Sequence, residues 1–473
     1  MGTLDRIAPA AVLSACFGIF GYAASRRPFW FDEILTAYIA GQPTLGHMWG
    51  AVRAGFDLTP PLFHLITRAV SMVSGRPELV LRLPGLAGFG LMAICIFLFV
   101  RRRCGLAASL AAMLFPMGTL AGRYAVEARP YGLVLGMCGV ALLCWQSAVD
   151  GRRRGVSLAG LALAIAVAVS LHYYALIILL PIGAGEAVRL LQNRRPDWAL
   201  WGAVALGTLA VPLNFWLIGF SGASLQNAWA PPPEWHDLGK FYWQAGGPVA
   251  PAVLVAGLAA MWRSKKRPGL PAHEVAAAVT LAAAGLFVFG VGVAITKMFI
   301  VRYALPAEIG IAILLAFLLN TQERLARVAM AAMVAMFAVN AAGALTTKVP
   351  AGAPPLLKGR TNVVCVSPLR FLQVAWYGPP DIRYLADPPE ARRWTGSDAM
   401  DRELLALAPW APIHVEDYTT VRQNREPFLL YWRYWPDPWL MPKLREDGAS
   451  LRLLGQAFNE EGVLERLYAV EWR

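Results

Sequence analysis

Two adjacent carboxylates, Asp32 and Glu33, follow directly on the first apolar segment of the chain, in the run Phe29-Trp30-Phe31-Asp32-Glu33. Charged side chains are costly beside hydrocarbon, so a pair at the point where a chain leaves a bilayer needs a reason. A carboxylate held there could act as a general base that removes the proton of an attacking hydroxyl group. The alternative is structural: Asp32 would cap the first amphipathic helix of the loop and Glu33 would face water.

A second set of charged residues lies at the ends of later apolar segments. Arg123 and Arg129 flank Glu127, and Lys297 and Arg302 stand close together much further along the chain. Glu127 can neutralise one arginine, and Lys297 can be an interfacial cation whose stem lies along the apolar surface. The remaining guanidinium groups could bind an anion such as phosphate, which arginine recognises in a planar, bidentate geometry. The spacing therefore indicates an anion-binding role for some of these residues.

A metal site is a further possibility at this stage. Asp57 precedes Thr59-Pro60-Pro61, which is typical turn chemistry, so Asp57 is either a turn residue or a contact to a substrate or a metal. His64 is more often an interfacial histidine than a ligand. A divalent metal ion bound by Asp57, His172 and His236 is conceivable, but no ligand spacing requires one. No cofactor is certain from the sequence.

The composition sets the class of protein. Of the 473 residues, 57% are hydrophobic and only 15% are charged, and the mean hydropathy is +0.48. A soluble domain could not bury so much apolar surface, so the chain is predicted to be a polytopic membrane protein. The formal net charge of +13 would suggest a nucleic-acid partner in a soluble protein. Here the basic residues fall in short clusters between apolar runs, which indicates cytoplasmic loops and no nucleic acid.

These basic clusters predict the topology, because each should lie on the cytoplasmic side and an even number of crossings must separate neighbouring clusters. They are Arg101-Arg102-Arg103, Arg152-Arg153-Arg154, Arg194-Arg195, Arg263 to Arg267, and Arg324 with Arg327. About eleven transmembrane helices satisfy this condition, with the N-terminus inside and the C-terminus outside. The predicted spans are 7–25, 79–100, 104–121, 131–149, 156–171, 174–191, 199–219, 248–262, 275–296, 303–320 and 325–345.

The run from 156 to 191 is the test of this topology. It is long enough for two short spans, in which case the polar triplet His172-Tyr173-Tyr174 forms the external turn between them. The weaker alternative is one kinked helix.

Two long external loops connect the predicted spans. The first, residues 26–78, contains two amphipathic patterns, 42–55 and 62–73, that predict short helices lying along the membrane surface. The second, residues 220–247, carries three consecutive prolines and several aromatic residues, and loops of that length are commonly functional. Residues 1–345 are thus predicted to be one transmembrane domain.

The composition changes after this domain. Residues 346–360 are rich in Pro, Gly and Ala and are predicted to be a linker. Residues 361–473 contain strand patterns at 362–366, 381–385 and 413–415, with helical patterns between them and a terminal hairpin of 452–458 and 464–472. They predict a small extracytoplasmic α/β domain. The predicted fold is therefore an all-α polytopic membrane protein with this C-terminal domain.

Five motifs in this order resemble the GT-C membrane glycosyltransferases. They are Trp30-Phe31-Asp32-Glu33, Asp57 with Pro60-Pro61-Leu62, Glu127-Ala128-Arg129-Pro130-Tyr131, His172-Tyr173-Tyr174 and Arg302-Tyr303-Ala304-Leu305-Pro306. Within that group the chain is most similar to glycosyltransferase family 39, which includes protein O-mannosyltransferases and lipid A aminoarabinose transferases. The resemblance covers residues 1 to about 320.

The resemblance implies an activity: inverting transfer of a hexose or pentose from a polyprenyl-phosphate donor to an acceptor glycan, lipid or protein. The reaction would occur at the external face of the cytoplasmic (inner) membrane, among membrane lipids. It implies Asp32 as the base, with Glu33 orienting Asp32 or the acceptor. Donor phosphate contacts are expected from Arg123, Arg129, Lys297 and Arg302, and substrate contacts from Asp57, Tyr131, His172, Tyr173 and Tyr303.

Two other classes of protein remain open. A transporter or flippase for a lipid-linked sugar would also have many spans and buried charges. Such proteins commonly contain repeated halves with broken helices at the midplane, whereas the polar motifs of this chain cluster at external helix ends. A catalytically idle relative is the third possibility, and the presence of Asp32 argues against it.

Overall fold

The computed structural model describes residues 2–214, 232–264, 269–346, 352–379, 381–386, 399–433, 439–459 and 462–473. Six helices of the described residues are long and apolar enough to cross a membrane. Two bent helix pairs raise that number to eight if each pair is one span. Shorter apolar helices lie at Leu106–Met117, Trp198–Asn214 and Ala307–Leu319. Each predicted span coincides with one of these helices or pairs, while the number that crosses the bilayer stays a prediction.

The helices before the C-terminal sheet run in the following order. In the first part of the chain they are α1 (Leu4–Arg26), α2 (Phe31–Ala40), α3 (Leu45–Arg53), α4 (Pro61–Ser71), α5 (Pro77–Val80), α6 (Leu83–Arg101), α7 (Leu106–Leu114), α8 (Leu120–Tyr124) and α9 (Tyr131–Val149). Next come α10 (Arg154–Leu171), α11 (Leu179–Asn193), α12 (Trp198–Thr208), α13 (Trp235–Gly246), α14 (Val249–Ser264), α15 (Ala272–Ala282), α16 (Ala284–Val291), α17 (Ala307–Leu319) and α18 (Glu323–Thr346).

The bounds of these helices agree with the predictions for the first loop and for residues 156–191, and they differ from the prediction for the second loop. Helices α3 and α4 occupy the two amphipathic segments of the first loop, and α10 and α11 are separate helices on either side of the predicted turn at 172–174. The second long loop was predicted to span 220–247, but its residues 235–246 form α13, which is bent by 78° from α14. The part of that loop before residue 232, with Trp229, and the end of the predicted span 199–219 lie outside the described residues.

Helices α6 and α9 pack with their backbones in contact. A Cβ atom added at Gly132 would overlap the carbonyl oxygen of Gly85, and one at Gly136 would lie 2.6 Å from the carbonyl oxygen of Gly88. Small residues at such positions let two membrane helices approach closely and gain van der Waals contact, which is the main attraction between helices in lipid. The close packing fixes the start of α9, where Pro130 and Tyr131 lie.

Ion pairs connect the opposite ends of the same helices. Arg103, just after α6, donates to Asp150 after α9 at 2.6 Å and to the fully buried Glu274 of α15 at 2.6 Å. Gln146 of α9 also donates to Glu274, at 3.2 Å. A buried carboxylate needs such partners, because an unpaired buried charge would be strongly destabilising. One of the predicted cytoplasmic arginine clusters is therefore part of the packing between three helices.

The C-terminal residues form a six-stranded mixed sheet. Its strands are β1 (Val363–Cys365), β2 (Arg383–Ala386), β3 (His414–Asp417), β4 (Phe428–Arg433), β5 (Ala449–Phe458) and β6 (Leu464–Trp472), in the order β3-β2-β1-β4-β6-β5. Strands β3, β2, β1 and β4 pair parallel with one another, and β6 pairs antiparallel with β4 and β5. Its helices are α19 (Pro368–Tyr377), α20 (Ala399–Leu407), α21 (Tyr418–Asn424) and α22 (Leu440–Glu446). The predicted hairpin is present, and β4 was not predicted.

The chain divides into two compact units. The first comprises residues 1–26, 59–216 and 230–347, and the second comprises 27–58, 217–229 and 348–473. The start of the first external loop, which the sequence analysis assigned to the transmembrane domain, therefore packs with the C-terminal sheet domain. This grouping places α2, with Asp32 and Glu33, in the same unit as the sheet.

Candidate active site

The two carboxylates of the first motif have different environments at the start of α2. The backbone N–H of Trp30 donates to Glu33 Oε2 at 3.2 Å, and the N–H of Glu33 donates to the Trp30 carbonyl at 3.0 Å. This reciprocal pair satisfies donors that a helix start otherwise leaves without partners. Glu33 is fully buried, whereas Asp32 is partly exposed. The structural alternative in the sequence analysis was therefore wrong in detail: Glu33 caps the helix and does not face water.

Asp57 belongs to the same unit as Asp32. It lies in the irregular segment between α3 and α4 and is 7% exposed. Helix α3 packs against α2, and its own start is capped by Thr44, whose hydroxyl oxygen accepts from the His47 backbone N–H at 3.1 Å. Burying a carboxylate costs free energy unless it has polar partners, so Asp57 is not an ordinary solvated turn residue. Asp57 thus remains a candidate for substrate contact.

In the other unit, one of the two predicted arginines lies on α8 and the other lies between α8 and α9. Arg129 is 7% exposed and donates through Nη2 to the Thr59 hydroxyl at 3.1 Å. Glu127 is buried to the same degree, and Arg123, near the end of α8, is exposed. The structure therefore holds Arg129 in position and leaves the side chain of Arg123 accessible to solvent.

Arg302 lies beside a cluster of aromatic rings in this unit. The rings of Tyr174 and Tyr303 stack with centroids 4.4 Å apart, and the His172 ring is 4.8 Å from that of Tyr303. The Arg302 guanidinium carbon is 5.8 Å from the Tyr131 ring centroid and 5.9 Å from that of Tyr303. Ring faces attract a cation at such distances and orient it. The structure thus brings together Tyr131, His172, Arg302 and Tyr303, four of the predicted site residues.

Two predicted residues of this unit lie apart from the aromatic cluster. The Tyr173 hydroxyl donates to the carbonyl of Asn214 at 3.0 Å, so it points to the end of the apolar helix after residue 198. Tyr174, which was not among the predicted substrate contacts, contributes its ring to the cluster in place of Tyr173. Lys297 is exposed and has a left-handed backbone, and its ammonium group donates to the carbonyl of Val293 at 2.9 Å. That contact satisfies a carbonyl at its own helix end, as basic residues commonly do.

Glu308 is a buried residue that was not among the predicted site residues. It lies in the first turn of α17, and its carboxylate accepts hydrogen bonds from the Thr119 hydroxyl and, at 2.9 Å, from the Ala121 backbone N–H. Asn340 donates to the neighbouring Gly118 carbonyl at 2.8 Å. These contacts hold the start of α8, which leads to Arg123. An acidic residue inside an apolar segment is itself a signal of function, so Glu308 could have been found.

The weak metal candidates are not brought into a recognisable metal site. His236 is exposed in α13, with Nδ1 3.1 Å from Glu234 Oε2 and Nε2 3.2 Å from Asp237 Oδ1. His172 Nδ1 accepts from the Tyr174 backbone N–H at 3.2 Å. Among the residues that the structure describes, no group of three or more His, Cys, Asp or Glu side chains is arranged to hold a metal ion. We therefore assign no metal ligands.

The chain is similar to two solved structures of one protein. The crystal structure of ArnT from Cupriavidus metallidurans in the apo state matches with a TM-score of 0.61 and 15% sequence identity, covering 97% of each chain. The crystal structure of the same protein bound to undecaprenyl phosphate matches with a TM-score of 0.62 and 14% identity, covering 99% of this chain and 98% of that chain. Our chain has the fold of ArnT.

The likeness spans both units, from the apolar helices to the C-terminal sheet. The GT-C fold that the five motifs indicated is thereby confirmed. No family model and no curated protein matches the sequence, so membership of glycosyltransferase family 39 stays a prediction. The low identity to ArnT explains why motif order was more informative than overall sequence similarity.

Proposed function

We propose that this protein is an inverting glycosyltransferase that moves a sugar from a polyprenyl-phosphate donor to an acceptor glycan, lipid or protein. The reaction takes place at the external face of the cytoplasmic membrane. The observation that carries the proposal is the likeness to ArnT over nearly the whole chain, together with the crystal structure of ArnT bound to undecaprenyl phosphate. A polyprenyl phosphate is therefore the first ligand to test, and the five motifs supply groups that suit its chemistry.

Asp32 is assigned the role of general base. The acceptor oxygen attacks the anomeric carbon, Asp32 takes the acceptor proton, and the bond from that carbon to the phosphate oxygen breaks with its electron pair leaving on the polyprenyl phosphate. The partial exposure of Asp32 suits a group that must reach a substrate. Glu33, buried and bonded to the Trp30 N–H, holds the helix that carries the base. Glu33 is thus a positioning residue in this scheme.

The leaving phosphate needs positive charge, because negative charge accumulates on it as the glycosidic bond breaks. Arg129 and Arg302 are assigned this role. Arg129 is buried and positioned by Thr59, and Arg302 is half-buried beside the Tyr131 and Tyr303 rings. Low local dielectric strengthens the attraction between charges, so buried or half-buried guanidinium groups are better suited to a phosphate than fully exposed ones.

The remaining predicted residues are assigned to substrate contacts. Tyr131, His172 and Tyr303 present rings and polar atoms in one cluster, on which either a hexose or a pentose could pack. Asp57 and Tyr173 remain candidates for hydrogen bonds to the acceptor or the sugar, and Arg123 and Lys297 for peripheral attraction of the anionic donor. Loops and the C-terminal domain, rather than the shared fold, would set the choice of acceptor.

The deciding experiment supplies purified protein in lipid nanodiscs with radiolabelled undecaprenyl-phosphate sugars and asks which acceptor gains label. We expect label transfer by the wild type and a loss of about 10²- to 10⁴-fold in kcat for Asp32→Asn, which keeps the shape of the side chain but removes the base. Asp417→Asn is the matched control, because Asp417 is an exposed cap of α21 and asparagine caps helices equally well.

A negative result also has a clear meaning. If label crosses the membrane of proteoliposomes but stays on the polyprenyl lipid for every acceptor tried, the protein is a transporter or flippase and the proposed function is wrong. Wild-type turnover by Asp32→Asn would leave the transferase activity standing and remove Asp32 from the mechanism.

A further inference from the structure

The C-terminal sheet domain binds the backbone just before the Asp32 motif. The backbone N–H of Phe29 donates to the Tyr377 hydroxyl at 2.9 Å, and the Phe29 carbonyl accepts from Gln373 Nε2 at 3.1 Å. Both partners lie on α19, one turn apart. The Phe29 ring is fully buried and meets the Trp376 ring edge-on at 5.9 Å. Both polar backbone groups and the side chain of one residue are thus held by a single helix of the sheet domain.

Helix α2 is held at two further points along its length. The ring of Tyr38 lies 5.1 Å from that of Trp376, at an interplanar angle of 72°. Just beyond the helix, Gln42 Nε2 donates to the carbonyl of Trp410 at 2.7 Å. These contacts lie before α2, on α2 and just after it, so the helix cannot rotate or shift without breaking at least one of them.

The side chains that hold Phe29 are themselves fixed inside the sheet domain. Arg370, 6% exposed, donates to Gln373 Oε1, and its Nε lies 3.3 Å from Glu465 Oε1 on β6. Glu465 is 2% exposed, and the Tyr431 hydroxyl on β4 lies 3.4 Å from Arg370 Nε. The Arg370 contact orients the Gln373 amide so that its nitrogen faces the Phe29 carbonyl. Both partners of this ion pair are buried, so each keeps the other in place, because an unpaired buried charge would be strongly destabilising.

From these contacts we infer that the C-terminal domain positions the catalytic base, with Gln373 and Tyr377 as positioning residues for Asp32. The inference rests on the proposed function, in which Asp32 is the base. A general base acts only within hydrogen-bond reach of the proton that it removes, and a small displacement of a catalytic group strongly reduces the rate. Supporting residues locked by their own hydrogen bonds are what keep such a group in place. The sheet domain is therefore part of the catalytic machinery in addition to any role in choosing an acceptor.

The test uses the full-length protein with two near-isosteric variants and their combination. Tyr377→Phe keeps the ring and removes the acceptor for the Phe29 N–H. Gln373→Glu keeps an oxygen for Arg370 and places a second oxygen against the Phe29 carbonyl. Tyr418→Phe and Gln456→Glu are the matched controls, since Tyr418 lies on α21 and donates to Asp447, and Gln456 is exposed on β5, so neither belongs to α19.

We expect each variant to lower kcat by about 10-fold and the double variant by about 100-fold, with unchanged affinity for undecaprenyl phosphate. Hydrogen exchange should become faster in a peptide covering residues 26–36 and stay unchanged elsewhere in the sheet domain. The two controls should leave both measurements at the wild-type values. General unfolding would speed hydrogen exchange throughout the domain and would also weaken lipid binding. Faster exchange limited to residues 26–36, with a loss in kcat and unchanged lipid affinity, therefore indicates a positioning role.

The outcomes separate this inference from the proposed function. If Asp32→Asn is inactive and the double variant turns over like the wild type, positioning by the sheet domain is wrong and the proposed function stands. Equal losses of kcat and lipid affinity, with a lower Tm, would also overturn the inference, because they indicate a general folding role. A wild-type protein that transfers no sugar would overturn both. Tyr377→Phe by itself retains the packing of α19, so the test does not depend on the double variant folding.

Discussion

The carboxylate of Glu308 accepts a hydrogen bond of 2.9 Å from the backbone N–H of Ala121, which lies 187 residues earlier in the chain. The bond joins the first turn of α17 to the first turn of α8. Arg302 lies just before α17 and Arg123 lies on α8. One buried carboxylate thus connects the two segments that carry predicted phosphate ligands.

Removing this carboxylate should loosen the start of α8. We expect Glu308→Ala to destabilise the protein by about 1–3 kcal/mol for each buried donor left without an acceptor. It should also weaken the binding of undecaprenyl phosphate, since the segment leading to Arg123 and Arg129 is no longer held. Glu308→Gln should show a smaller effect, because its amide oxygen still accepts one hydrogen bond.

Thermal unfolding and lipid titration of these variants measure both effects. Glu323→Ala is the control, because Glu323 is exposed and pairs with Arg327 alone among the described ion pairs. An unchanged Tm for Glu308→Ala would show that the hydrogen bonds of Glu308 contribute little to folding.

Neutralising the phosphate-binding arginines should affect both donor binding and catalysis. We expect Arg129→Gln and Arg302→Gln each to lower donor affinity by about 10- to 100-fold, the range for a charged hydrogen bond of about 1.5–3 kcal/mol. The kcat should fall as well, because negative charge grows on the phosphate in the transition state. Lysine at either position should restore only part of the loss, since it keeps the charge without the planar set of donors.

Donor titrations and turnover in lipid nanodiscs decide this prediction. Arg327→Gln is the control, since Arg327 is an exposed residue that forms a pair with Glu323 at i and i+4. Wild-type donor affinity and turnover in both variants would leave Arg129 and Arg302 as structural anchors, with the phosphate bound elsewhere.

The predicted topology can be tested independently of activity. Reporters fused after Arg154 or Arg267 should be cytoplasmic, and reporters fused after Gly222 or Pro350 should be external. The separate helices α10 and α11 support this assignment, because two spans between 156 and 191 are needed for it. An external signal at Arg154 would require a different number of crossings and would contradict the placement of His172 on the external side.

Cys365 provides a probe of the sheet domain. Complete burial in β1 raises the pKa of its thiol to about 12. The thiolate is the reactive form, so Cys365 should resist N-ethylmaleimide in the folded protein at pH 8 and react once the protein is denatured. Because the pKa of the thiol is higher in the folded protein than in the unfolded chain, the neutral thiol favours the folded state at neutral pH. This contribution to the free energy of unfolding is lost as the pH rises toward 12. Mass spectrometry of the peptide containing Cys365 measures the labelling, and rapid modification at pH 8 would show that β1 is accessible.

The helical part of the fold was predictable from the sequence for a local reason. A membrane helix must satisfy its own backbone hydrogen bonds within one apolar segment, so hydropathy alone locates it. Strands β5 and β6 were likewise predicted from a local signal, the pattern of residues along each strand. Strand β4 was missed because Phe428–Arg433 is a nearly continuous apolar run in the middle of the sheet, which lacks the alternation of a half-exposed strand.

Helix α2 was missed for a related reason. It has ten residues, most of them buried, so neither its length nor an exposed polar face identifies it. Its first residue follows a tryptophan rather than a Ser, Thr, Asp or Asn cap, so the usual start signal is absent. Packing against the sheet domain decides that this segment is helical.

The class of protein, the positions of its apolar helices and the candidate carboxylate and arginine residues could all be recognised in the sequence alone. These follow from composition, hydropathy and short motifs, which are properties of neighbouring residues. Three features depend on tertiary packing: Glu33 caps α2, Tyr174 rather than Tyr173 joins the aromatic cluster, and Gln373 and Tyr377 hold Phe29. Such contacts join residues as many as 348 positions apart, and no local pattern records them, because only the packing of distant elements brings their side chains together.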